Sequence, residues 1–118
     1  MFYHFSFQRD DIGTINILVP KISKEPRYDA VAICSLAGVQ NVKTFLLSVD
    51  YNNGGLNIRT NLDGSFKAWA NKVALISIFN KLKEDGYAPI TLGIITDAFN
   101  NEVFPYVEKE VKKLKKKV

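Results

Sequence analysis

Tyr3, Phe5 and Phe7 alternate with His4, Ser6 and Gln8, the period-two pattern of a half-buried strand. A polar turn, Arg9-Asp10-Asp11-Ile12-Gly13, leads into a second alternation. There Ile15, Ile17 and Val19 share a face and Pro20 stops the pairing. Together they predict an opening β-hairpin. Pro20 to Pro26 reads as a polar connection. Tyr28 to Leu36 fits two forms, since its β-branched residues favour a buried strand and its alanines permit a helix; the strand is preferred here. Gly38 to Asn41 reads as a turn. Lys43 to Tyr51 then predicts a strand with Phe45, Leu47 and Val49 on one face and Thr44, Ser48 and Asp50 on the other. Asn52-Asn53-Gly54-Gly55 suits a tight turn, because Asn and Gly accept positive φ. Leu56, Ile58 and Thr60 would return as the partner strand, with Asn57 and Arg59 on its opposite face. This completes a second expected hairpin.

Helical spacing follows. Asp63-Gly64-Ser65 carries side-chain oxygens that can cap free backbone N–H groups. Phe66, Trp69, Ala70, Val73, Ile76 and Phe79 recur at helical intervals, widened by Leu75, Ile78 and Leu82, and Gly86 closes the segment. On this reading Trp69 and Phe79 are core residues of one helix from Phe66 to Leu82. Pro89 to Thr96 is a short apolar run, either a strand or a first helical turn, and Asp97 can cap a turn after it. Pro105 suits the first turn of a C-terminal helix, whose apolar edge is Val107, Val111, Leu114 and Val118. The expected architecture is one α+β domain over residues 1–118. Its antiparallel sheet is built from two hairpins and covered by the central helix and a Lys-rich C-terminal helix.

Charge changes this picture. The chain has 118 residues, 47% of them hydrophobic, with a formal net charge of +4. That size and composition suit an ordinary globular domain that needs no disulfide or metal staple. No apolar run approaches the ~20 residues of a membrane span, and no basic leader precedes an apolar stretch. Residues 109–118 hold six Lys and one Glu, a net +5, whereas residues 1–108 hold ten Lys and Arg against eleven Asp and Glu, a net −1. The basicity therefore belongs to the basic end of the C-terminal helix. Lys109, Lys112, Lys113, Lys115, Lys116 and Lys117 are the candidate nucleic-acid contacts, acting on phosphate without regard to sequence. Phe2 and His4 could meet bases, since Tyr3, Phe5 and Phe7 form a core-facing row. The alternative expectation is a protein-interaction module, such as a homodimeric phage- or virus-type regulator, using a sheet edge or an apolar helix edge. The tail lacks Trp or Phe on its apolar edge, so no membrane contact is expected.

Catalytic parts are few. Cys34 is the only cysteine, which excludes an internal disulfide and suggests a reducing, cytoplasmic location. It sits in an apolar run and reads as a small buried hydrophobe; a nucleophilic role would need His4, the only histidine. One Cys and one His cannot build a structural zinc site, and Asp10, Asp11, Asp50 and Asp63 are scattered among turns. Phosphate-loop, dinucleotide and hydrolase signatures do not occur, so no cofactor is expected. His4 reads as part of a solvated polar face, or of a binding face shared with Thr14, Asn16 and Arg59. Tyr106-Val107-Glu108-Lys109 matches the Y-x-x-K spacing of the nucleophile in replication initiators of the His-hydrophobe-His endonuclease superfamily. That resemblance implies a DNA-nicking tyrosine. Those enzymes hold a metal with a His-x-His pair, where this chain has His4-Phe5-Ser6. The expectation is thus a non-catalytic binding protein, with Tyr106 the weak catalytic candidate and no nicking of DNA.

Overall fold

The computed structural model describes residues 1–49 and 55–116. Strands β1 (Phe2–Arg9) and β2 (Gly13–Pro20) form the opening hairpin, in register from Phe2 opposite Pro20 to Arg9 opposite Gly13. Gly13 takes a φ of +71° at the turn, a conformation that strains residues with a Cβ. Tyr3, Phe5 and Phe7 lie opposite Val19, Ile17 and Ile15, so the two alternations share one inward face. Ile15, Ile17 and Val19 are fully buried there.

The next stretch divides where the sequence left two forms open. Arg27–Asp29 is strand β3, paired with β2 through Tyr28 and Ile17, and Ala30–Leu36 is helix α1. Asp29 makes the switch: its carboxylate accepts the Ala32 amide at 3.1 Å, satisfying a free N–H at the helix start. Ala30, Ile33, Cys34 and Ala37 are buried at helical spacing. The preferred strand reading of Tyr28 to Leu36 holds only for its first two residues, Tyr28 and Asp29.

Two further expectations need correction. Val42–Leu47 is helix α2, capped by Asn41, whose side chain accepts the Thr44 amide at 3.2 Å. Val42, Phe45, Leu46 and Val49 are buried at helical spacing, while Leu47, expected inward on a strand, is 56% exposed. Asn52, Asn53 and Gly54 of the expected tight turn, with Asp50 and Tyr51, lie outside the described residues. Strand β4 (Leu56–Thr60) instead pairs forward with β5 (Phe66–Ala70). Asp63 therefore closes a hairpin rather than starting a helix, its carboxylate accepting from the Ser65 amide at 2.9 Å and hydroxyl at 2.6 Å. These two hydrogen bonds stabilise its charged form and hold its pKa below the usual carboxylate value.

The expected helix from Phe66 is thus a strand followed by a shorter helix, α3 (Lys72–Glu84). Its cap is Asn71, which accepts the Ala74 amide at 2.9 Å. Phe79 is buried as expected, but Trp69 lies on β5 and is only half-buried. Pro89–Thr96 falls within helix α4 (Pro89–Ala98). A π-helical turn, Phe99–Val103, joins α4 to α5 (Phe104–Lys116). That turn ends two residues before Pro105, which has no N–H to continue the regular ladder.

The fold is α+β. The sheet is antiparallel with strand order β1-β2-β3-β5-β4. On its inner face Tyr28 meets Phe99 and Phe104 edge-on at centroid distances of 5.9 and 5.4 Å, and Phe79 meets Phe99 at 5.5 Å. Strand alternation leaves His4, Ser6, Gln8, Thr14, Asn16, Asn57, Arg59 and Lys67 exposed on the outer face. Among the described residues, no helix is long and apolar enough to cross a membrane.

Candidate nucleic-acid surface

Helix α5 buries Val107 and Val111 and half-buries Leu114, so its apolar edge is spent on the core. Helical geometry then places Lys109, Lys112, Lys113 and Lys116 on the side away from that edge, with Lys115 on its flank. All five are exposed; Lys117, with Val118, lies outside the described residues. Lys113 pairs with Glu110 at 3.2 Å, one turn away. Glu108 is engaged with Lys72 at 3.5 Å. Lys109, Lys112, Lys115 and Lys116 have no ion-pair partner among the described residues.

The connection between β2 and β3 adds to this surface. Lys24, Glu25, Lys112 and Lys115 line a hollow of about 420 Å³ between that connection and α5. Lys24 donates to the Lys21 carbonyl at 3.1 Å, and the Lys21 ammonium stands 5.3 Å from the centre of the Tyr3 ring. Glu25 accepts from the Asn71 amide group at 2.9 Å, so its carboxylate is partly occupied. Lys21 and Lys24 were not singled out from sequence. Their charges were visible there, but only the fold sets Lys24 beside α5 and Lys21 over the Tyr3 ring.

The remaining candidates do not converge. His4 and Arg59 share the outer sheet face but sit on its two edge strands, β1 and β4, with three strands between them. At ~4.8 Å per strand that is about 19 Å. Asn16 and Thr14 lie opposite Ser6 and Gln8, on the His4 side. Phe2 is partly exposed at the start of β1. Tyr106 is half-buried on the inner side, its ring 6.1 Å from that of Phe7, so the sheet separates it from His4. Among the described residues no group of three or more His, Cys, Asp or Glu is placed to hold a metal ion.

Cys34 is fully buried. Burial pushes its thiol pKa up to about 12, and the nearby Asp29 charge acts in the same direction. A raised thiol pKa means less thiolate, the reactive form, at neutral pH. We expect a thiol-specific disulfide reagent to leave the native protein unmodified at pH 7.5–8 while titrating one thiol after denaturation. Rapid labelling of the native protein would contradict this placement.

No protein family, curated protein or solved structure matches the chain.

Proposed function

We propose that the protein binds nucleic acid electrostatically through the lysine surface of α5, extended by Lys24. The observation that carries this reading is the set of four exposed lysines on one helix that lack acidic partners among the described residues. Lysines held near one another repel, and a polyanion offsets that repulsion while releasing its condensed counterions. The buried Val107–Val111 edge argues against a membrane surface as the target, because a helix lying on lipid needs that edge free. A cytoplasmic setting suits the unpaired thiol of Cys34.

A second reading, association with a protein or a second copy, is favoured by one feature. Val73 and Ile76 of α3 and Ile90 and Ile94 of α4 are exposed, Ile90 at 83%. Exposed aliphatic residues on two neighbouring helices are a common beginning of an interface.

The salt dependence of binding decides between the two. With roughly four to five phosphates neutralised, affinity for an oligonucleotide should fall about a hundredfold between ~50 and ~200 mM salt. The double-logarithmic slope should be about −3 to −4. Binding that ignores salt would remove the lysine reading, and a concentration-dependent increase in mass without nucleic acid would favour self-association.

A further inference from the structure

The outer sheet face carries a second group of residues that neither the lysine helix nor the core accounts for. Register places Trp69 of β5 opposite Asn57 of β4 on one side and Asp29 of β3 on the other. Lys67 stands directly opposite Arg59. Arg27 lies two residues before Asp29 on the same face, diagonal to Trp69. The half-buried indole is therefore flanked by cations at both ends.

Among the described residues Arg27, Arg59 and Lys67 form no ion pair. Glu25, a carboxylate that borders the concavity beside Arg27, is held by the Asn71 amide group. The nearest acid in the sheet, Asp29, is turned to cap α1 through the Ala32 amide. Like charges directly opposite on paired strands are destabilising, and Arg59 against Lys67 is such a pair. An anion bound between them removes that repulsion. Beside the indole, Arg27, Asn57 and Trp69 line an open concavity of about 360 Å³.

We propose that this face binds single-stranded nucleic acid, with an unpaired base stacked on Trp69 and the flanking phosphates on Arg59, Lys67 and Arg27. A flat aromatic ring among cations that form no ion pair offers stacking and charge together, the combination that single strands reward. In a duplex both faces of each base are already covered by neighbours, so Trp69 discriminates between the two forms. Glu25 borders this concavity and also the hollow beside Lys112 and Lys115, so its carboxylate separates the two cationic surfaces. The inference rests on the nucleic-acid reading for its class of ligand, but it uses different residues and can fail separately.

Trp69 is the only tryptophan, so its fluorescence reports on this site alone. The probes are an oligothymidylate of about 12 nucleotides, a duplex of the same length, and polyglutamate. The expected result is saturable quenching by the single strand and little change with the other two. A Trp69→Ala variant should bind labelled oligothymidylate about tenfold more weakly, and Trp69→Phe should retain most of the affinity. The pair Arg59→Gln with Lys67→Gln should lose about tenfold in affinity with the Trp69 emission of the free protein unchanged. Binding without any change in Trp69 emission would overturn the sheet-face site while leaving the lysine surface standing. Equal quenching by duplex or polyglutamate would overturn the stacking. Quenching that persists with unchanged affinity after the α5 lysines are neutralised would keep this site and remove the other reading. No binding of the single strand at ~100 μM and low salt would overturn both.

Discussion

Replacing Lys109, Lys112, Lys115 and Lys116 together by Gln should weaken oligonucleotide binding by about a hundredfold at ~100 mM salt. Each lysine that neutralises a phosphate adds close to one unit to the salt slope, so the variant's slope should flatten towards that of the residual contacts. The helix itself should persist. Gln is nearly as good a helix former as Lys, and the buried contacts of Val107 and Val111 are untouched. Some stability is lost at Lys115 and Lys116, because cations in the last turn of a helix interact favourably with its dipole, by about 0.3–1 kcal/mol each at exposed sites. Circular dichroism should therefore be close to that of the parent while anisotropy of a labelled oligonucleotide reports the loss. Parent-like affinity in a folded variant would show that the contacts lie elsewhere.

Phe99→Ala should be the most damaging single truncation, costing ~3–5 kcal/mol in denaturant unfolding. Phe99 is fully buried and its ring meets those of Tyr28, Phe79 and Phe104 within 6 Å. Tilted and edge-on aromatic pairs add to the stabilisation that burial alone provides. The residue also sits in the π-helical turn between α4 and α5, where backbone irregularity leaves little room for the walls to close over a cavity. A loss under ~1 kcal/mol with an unchanged denaturant slope would mean that this junction repacks freely. Trp69→Ala supplies the contrast, since a half-buried side chain on an open face removes less surface from water and should cost well under half as much.

How much of this was legible in sequence depends on how many neighbours each pattern needed. The opening hairpin and α5 could be read because their patterns are long and local: two strands of eight residues each, and an apolar edge sustained over three turns. Phe79 could be read for the same reason. Residues 42–49 could not, because a short run satisfies two periods at once. Phe45, Leu47 and Val49 alternate like a strand, while Val42, Phe45, Leu46 and Val49 recur like a helix, and Asn41 decides by capping.

Phe66 to Ala70 failed differently. Its helical spacing was real, but β3 and β4 each need a strand between them, and β5 is the segment that supplies it. The α5 lysines could be found from charge alone. The group around Trp69 could not, because Arg27, Arg59 and Lys67 become neighbours only through the order β3-β5-β4.

Strand β3 has a mechanical consequence. It is three residues long and offers two register pairs to each neighbour, whereas the β1–β2 hairpin is paired over eight. The sheet is two self-contained ribbons spliced through one short strip. Backbone amides along that strip should exchange with solvent through smaller openings than those inside the first hairpin. A polymer held on Arg27, Trp69 and Arg59 would act as a suture between that strip and the second ribbon, so that occupancy would be felt as slower exchange at Arg27–Asp29.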